Sequence, residues 1–321
     1  MEQYNWMSHY ATNMKQSDST YPFQRYDVEN ETGAGKVISC TVFPGVQTVY
    51  NDLYMYHCGK AVPRNDGIIE ISYCMDGRYE CEVSKQYCFY VSHGDLSIGT
   101  VGRRESGGSF PTKRYSGLTV FFDVAVFKEQ YGFVLQELGI NLNGILEAAL
   151  QQPRRCNLCG CPEIGVIFQM AIEAQKNGDA SLLKLKTLEL LLFLGKVDFD
   201  SLRDTSAYLN HAQAALAMNV QRMLVSDLSA HLTLDQLAEK FRASQTAIKS
   251  AFRIVYGSSI RDYMKSYRLS EAQRLLKETE IPVAEVAAIV GYQNPGHFSA
   301  AFKGKYGVLP GEYKKSVRFE H

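Results

Sequence analysis

Between residues 231 and 313 apolar and polar positions recur with the period of an α-helix, and they do so twice. Leu234, Leu237, Ala238 and Phe241 fall on one helical face, and Val283, Val286, Ala287 and Val290 repeat that spacing about fifty residues later. Each set leads into a second helical pattern. Ser244, Ile248, Phe252, Tyr256 and Gly257 are echoed by Asn294, Phe298, Phe302, Tyr306 and Gly307, and then Ile260 and Tyr263 by Pro310 and Tyr313. Unrelated amphipathic helices share apolar spacing, but not spacing and closing glycine together, so the pattern predicts a duplicated helix pair.

Local signals mark the ends of these helices. Thr233 with Gln236 reads as a capping box, Ser244 as the next N-cap, and Gly257 as a stop; Ser259 with Asp262 caps a long helix through about Lys277. In the second copy Pro282 stands at a first helical position, Asn294-Pro295 reads as N-cap and N1, and Gly307 closes. The prediction is helix, tight turn, helix, twice.

The rest of the chain has a different rhythm. Residues 1–34 are polar without periodicity and read as an arm, whereas from about residue 35 to 124 short strands alternate with glycine turns. Residues 69–73 alternate, Asp76-Gly77 reads as a type I′ hairpin turn with Arg78 to Val83 as the return strand, and Tyr87–Val91, Leu96–Val101 and Leu118–Phe122 follow. So many short strands predict a β-barrel or jelly roll. Helices are expected at about 162–176 and 182–197, completing a domain over 35–200. The second is apolar around so much of its girth that it buries more than one side, in its own core or against a second copy of the chain. Residues 201–220 read as a linker and 221–321 as the helical domain. The fold class expected is α+β, a strand-rich N-terminal domain followed by an all-α one.

Charge sharpens this division. The overall balance is 34 basic against 34 acidic residues, but residues 231–321 carry fourteen Lys and Arg against nine Asp and Glu. A basic end on an acidic body points to a polyanion partner. No apolar run is long enough to span a bilayer, and the N-terminus lacks an apolar signal core, so a cytoplasmic protein with reduced thiols is expected. Cys156, Cys159 and Cys161 form Cys-x-x-Cys-x-Cys in a turn-rich stretch. Three thiolates suit zinc or a redox switch, yet a structural zinc site takes four ligands, and no further His or Cys follows at ligand spacing. An incidental loop cluster is the competing reading; no cofactor and no metal are expected.

In a helix-turn-helix the second helix enters the major groove of DNA, its outward side chains meeting base edges while flanking groups hold phosphates. With Ile248, Ala251, Phe252 and Val255 inward, Gln245, Thr246, Lys249, Ser250 and Arg253 face out. The helix from Ile260 to Lys277 is roughly 27 Å long, enough to hold two reading helices about one DNA turn apart.

The run from Gly291 to Lys303, GYQNPGHFSAAFK, with Tyr306-Gly307, Pro310 and Tyr313, resembles the signature of AraC/XylS-family transcription regulators. Tyr263 and the stretch Arg268, Leu269, Ala272, Leu275, Leu276 resemble that family's connecting helix. The resemblance implies a bacterial regulator, not an enzyme, that binds double-stranded promoter DNA, contacts RNA polymerase and forms a homodimer. Its N-terminal domain would be cupin-like and sense a small-molecule effector. By motif position Thr246, Lys249 and Ser250 would touch DNA from the first reading helix, and Gly296, His297 and Ala300 from the second. Ala300 stands where many relatives carry Arg, and Gly296 has no side chain. The second helix is therefore expected mainly to grip phosphates, through Asn294, Ser299, Lys303 and Lys305, with Arg268 either reaching phosphate or bracing the connecting helix.

Glu70, Asp76-Gly77 and Gly94-Asp95 resemble the family's cupin-like domain. Its metal-dependent enzymes need a His-x-His pair, and only His57 and His93 occur in the strand region. The domain's Tyr and Phe content suits an apolar pocket, with Arg78, Arg103, Arg104 and Arg114 available for an anionic group. The alternative is an effector-independent regulator whose barrel serves only dimerisation.

Overall fold

The computed structural model describes residues 14–59, 65–84, 87–101, 108–150, 156–158, 161–198 and 208–318. The chain divides into two compact units, residues 1–211 and 212–321.

The first unit contains β1 (Met14–Thr20), β2 (Phe23–Asn30), β3 (Gly33–Phe43), β4 (Val46–Tyr54), β5 (His57–Cys58), β6 (Asn65–Ser84), β7 (Tyr87–Ser92), β8 (Leu96–Val101), β9 (Gly108–Ser109) and β10 (Tyr115–Asp123). After these come α1 (Val124–Glu137), α2 (Leu142–Leu150), β11 (Cys156–Leu158), α3 (Pro162–Asn177), α4 (Ala180–Leu194) and β12 (Tyr208–Asn210). The strands form a curled antiparallel sheet in the order β1-β2-β3-β4-β10-β6-β7-β12, with β8 also on β6. Successive side chains of a strand point to opposite faces. On β10 this sends Leu118, Val120 and Phe122 into a core shared with Phe127, Phe168, Ile172 and Leu190 of the helices. Phe121 and Tyr115 join Leu53, Phe89 and Phe110 on the other face. Gln175 of α3, fully buried, fastens helix to sheet by donating from Nε2 to the carbonyl oxygens of Ile38 at 2.6 Å and Thr48 at 3.3 Å.

The structure departs from three of the sequence expectations. Asp76-Gly77 is not a hairpin turn: β6 runs through it as a 20-residue strand that pairs with β8 and β10 before Gly77 and with β7 after it. Gly77 has φ +81°, and a methyl group on it would run into the carbonyl oxygen of Arg114. The glycine bends the strand instead of reversing it. The segment read as an arm over 1–34 contains β1, β2 and the start of β3, and Phe23, Tyr26 and Val28 are buried. Within the segment read as a linker over 201–220, residues from 211 onward are helical; Ala214, Ala217, Val220 and Leu224 bury one face, and the first two are small enough to blur the apolar period. Residues 201–207 lie outside the described residues. Helices α1 and α2 were not anticipated.

The second unit is helical: α5 (His211–Ser226), α6 (Leu234–Phe241), α7 (Gln245–Tyr256), α8 (Ile260–Glu278), α9 (Val283–Ile289), α10 (Pro295–Tyr306) and α11 (Pro310–Arg318). Helix α8 touches α7 through its N-terminal part and packs Leu269, Ala272, Leu275 and Leu276 against Val286, Ala287, Phe298 and Phe302. Its 19 residues span about 28 Å. The same aromatic arrangement occurs on both sides. Phe252 lies 4.5 Å from Tyr256 and 5.3 Å from Tyr263, ring centre to ring centre. Phe302 lies 4.6 Å from Tyr306 and 5.7 Å from Tyr313. Among the described residues no helix is long and apolar enough to cross a membrane.

Candidate nucleic-acid interface

Helix α6 opens with a full capping box. Thr233 Oγ1 accepts from the Gln236 amide at 3.2 Å, and the Gln236 side chain accepts from the Thr233 amide at 2.8 Å. A short turn then leads to Ser244, whose hydroxyl accepts from the Ala247 amide at 3.1 Å and starts α7. Ile248, Ala251, Phe252, Val255 and Tyr256 are buried, which leaves Thr246, Lys249, Ser250 and Arg253 exposed on the opposite face. None of these four side chains has a hydrogen-bond or ionic partner among the described residues. Gln245 differs from them: its amide donates to Asp235 Oδ1 at 2.6 Å and ties α7 to α6.

Helix α10 begins at Asn294, whose Oδ1 accepts from the amides of Gly296 at 2.7 Å and His297 at 3.2 Å. Phe298 and Phe302 are buried, while Gly296, His297, Ala300 and Lys303 are exposed. Ser299 donates to the carbonyl oxygen of Pro295 at 2.9 Å, and the ammonium of Lys305 donates to Ser266 O, Ser266 Oγ and Ser270 Oγ, each at 2.9 Å. Burial lowers the Lys305 pKa below the ordinary lysine value. Gly291, at φ +84°, lets the preceding turn approach the carbonyl oxygen of Leu228, where a methyl group would collide.

Residues 237–316 match a family described as a helix-turn-helix domain. The HTH-type transcriptional activator RhaR of Enterobacter sp. (strain 638) is 29% identical over 106 residues, covering 33% of this chain and 38% of that protein. The HTH-type transcriptional regulator YdiP of Escherichia coli is 28% identical over 188 residues, covering 56% of this chain and 61% of that protein. A probable AraC family transcriptional regulator from Rhodopseudomonas palustris, known as a crystal structure, is 25% identical. It covers 32% of this chain and 97% of its own, with a TM-score of 0.29. The match spans only 38%, 13% and 61% of the first three curated relatives.

The chain carries an AraC-type helix-turn-helix domain.

Within the AraC-type domain the structure sorts the side chains read as DNA contacts into two groups. Thr246, Lys249, Ser250, Arg253, His297 and Lys303 are uncommitted, and Gly296 presents only backbone. Gln245, Asn294, Ser299 and Lys305 are engaged inside the domain, so their polar groups are already used. Arg268 is engaged too: partly buried, it donates to the carbonyl oxygen of Ala230 at 3.3 Å, and burial holds its guanidinium below the usual arginine pKa. It braces α8 against the segment before α6. Arg261 and Lys265, both exposed on α8, are not among the contacts expected from the sequence. Their signal was the i, i+4, i+7 spacing with Arg268, which places all three on one helical stripe.

Outside the AraC-type domain, the two described arginines proposed for an anionic ligand are both engaged by neighbouring side chains. Arg78 is buried and donates to Ser92 Oγ at 2.6 Å, and Arg114 pairs with Asp52 and with Asp76. Arg103 and Arg104 lie outside the described residues. The sheet instead carries a partly open pocket of about 60 Å³ lined in part by Asn51, Glu70, Ser72, Tyr79 and Thr119. His57 lies 3.4 Å from Glu31, and His93 meets the Met75 carbonyl. Cys159 and the Cys156 side chain lie outside the described residues, and Cys161 donates to Glu163 Oε2 at 3.1 Å. Among the described residues no three His, Cys, Asp or Glu side chains are grouped to hold a metal ion.

Proposed function

We propose that this chain is a sequence-specific DNA-binding transcription regulator in which α6–α7 and α9–α10 act as two helix-turn-helix reading units. The observation that carries the reading is the outward row of α7. Thr246, Lys249, Ser250 and Arg253 are exposed and uncommitted on a helix whose opposite face is fully packed. Uncommitted polar side chains on a rigid helix suit base edges, which demand fixed geometry. RhaR is named a transcriptional activator, which agrees with this reading. Bound genomic fragments, recovered with the full chain and sequenced, test it: a shared motif is expected, and recovery without one overturns the reading.

The partners proposed are promoter DNA, RNA polymerase and a second copy of the chain. Leu185 of α4 is 64% exposed with Leu188 and Leu192 beside it on the same stripe, an apolar row that suits a homodimer contact. Sedimentation of Leu185→Glu against wild type tests it, a shift to monomer being expected. For the first unit, a cupin-like effector-sensing role rests on the polar pocket of the sheet. Its volume of about 60 Å³ and its Glu70 carboxylate suit a small hydroxyl- or amine-bearing solute, not the anion inferred from the arginines. The same small volume favours a second reading, in which the sheet serves only dimerisation. The two separate in a thermal-shift screen of the full chain with small polyols and amines, since a ligand bound to the native state raises the melting temperature.

A further inference from the structure

Away from α7, basic groups gather at a cleft of about 570 Å³ between α8 and the start of α10. Arg261, Lys265 and Arg268 line it from α8, one helical turn apart; Asn294 and His297 line it from α10, and His231 lies beside Arg268. No acidic side chain lines the cleft. Three cations stacked at i, i+4 and i+7 repel one another, and nothing within the cleft offsets them. Arg268 heightens the imbalance. It is partly buried, has no carboxylate partner among the described residues, and its Nε has no hydrogen-bond partner. A cation drawn partly out of water without a counter-charge loses solvation, and an anion seated in front of it recovers part of that loss.

The groups that would meet the anion are available. Arg261, Lys265 and His297 have no side-chain partners among the described residues. The first amides of α10 are not available, because Asn294 already accepts from Gly296 and His297. Recognition must therefore come from side chains, with the positive end of α10 adding a favourable field. A guanidinium fork beside an ammonium matches two oxygens of a phosphate group.

We propose that this cleft seats a phosphodiester group of the DNA backbone, held by Arg261 and Lys265 with His297 beside it. The proposal rests on the DNA-binding reading above. It assigns the anchoring of the second unit to α8, not to Lys305 or Ser299, whose polar groups are spent within the domain. It also accounts for a reading helix with Gly296 and Ala300 on its outer face: anchored through the backbone, α10 contributes affinity with little base discrimination.

The test uses the full chain, a duplex selected from a random pool by that chain, and a random duplex of equal length. Affinities are measured from 50 to 200 mM salt. The double variant Arg261→Gln with Lys265→Gln is expected to weaken both duplexes by the same factor and to reduce the salt slope by about one, the loss of one neutralised phosphate. The pair Lys277→Gln with Lys315→Gln, two exposed lysines outside the cleft, serves as a charge-matched control, with a smaller change expected, and melting curves confirm that each variant folds. An unchanged slope in the double variant, with wild type still preferring the selected duplex, overturns this proposal alone. A wild-type chain that binds neither duplex overturns the DNA reading and this proposal together. Inorganic phosphate at constant ionic strength separates the remaining source of the same chemistry. If it raises the melting temperature of wild type but not of the double variant, while the DNA slope is unchanged, the cleft serves a free anion and the backbone assignment is wrong.

Discussion

The ammonium of Lys305, in the last turn of α10, sits 2.9 Å from both the carbonyl and the hydroxyl oxygen of Ser266 on α8. A third bond to Ser270, also at 2.9 Å, saturates its donors and ties α10 to the strut. Lys305→Ala should therefore lower stability by about 1 kcal/mol, the usual range for such bonds when partly solvated. The salt slope of DNA binding should stay as it is. Chemical denaturation beside a salt titration checks both; a slope change without a stability change would return Lys305 to the phosphate contacts.

Lys249 and Lys303 are both exposed lysines on candidate reading helices, yet different losses are expected. Lys249 lies in the outward row of α7 beside Thr246, Ser250 and Arg253. Lys303 is near the end of α10, beyond Gly296 and Ala300, which offer nothing to discriminate bases. Lys249→Ala should cost about 1–3 kcal/mol on the selected duplex and less on a random one. Lys303→Ala should weaken both alike and lower the salt slope by about one. Equal losses of Lys249→Ala on the two duplexes would remove α7 from base reading.

These contrasts show which features can be read from the chain. The outward row of α7 was legible because its buried partners Ile248, Ala251, Phe252 and Val255 keep the helical period without interruption. The caps at Thr233, Ser244 and Asn294 were legible because each is a bond over two or three residues. Lys305 was not: its partners lie 35 and 39 residues away, and a lysine on a helix looks the same whether solvated or tied down. Gly77 was misread for a related reason. An Asp-Gly pair reports positive φ, but whether the chain reverses or bends depends on which strand pairs beyond it, here β7 after Gly77 and β8 before it. Arg261 and Lys265 gained meaning only once α10 joined them in lining one cleft.

Gly77 is expected to be intolerant of any side chain. At φ +81° an L-residue is strained, and the added methyl group meets the Arg114 backbone, which cannot swing aside as a flexible side chain would. The Arg78 amide donates to that same Arg114 carbonyl at 3.0 Å, so displacement would also break a strand bond. Gly77→Ala should destabilise the first unit by about 2 kcal/mol or more. Denaturation followed by circular dichroism checks this; a change below about 0.5 kcal/mol would place the bend outside the structural core of the sheet.

Cys40 and Cys74 are buried in the first unit, and burial pushes both thiols up to about 12. In the unfolded chain they ionise near the ordinary value of about 8.5. Above that pH the unfolded state binds fewer protons than the folded one, so the stability these thiols support is intact below about pH 8.5 and drains away as pH rises towards 12. The loss is about 1.4 kcal/mol per pH unit for each thiol across that window. Tyr26 and Tyr73, also raised chiefly by burial, act in the same direction. Denaturation midpoints between pH 8 and 11 should therefore fall steeply in wild type and less steeply in Cys40→Ala with Cys74→Ala, even though that variant starts lower. Parallel slopes would mean that the thiols are reached by solvent, and rapid alkylation of both by iodoacetamide at pH 8 in the folded chain would say the same.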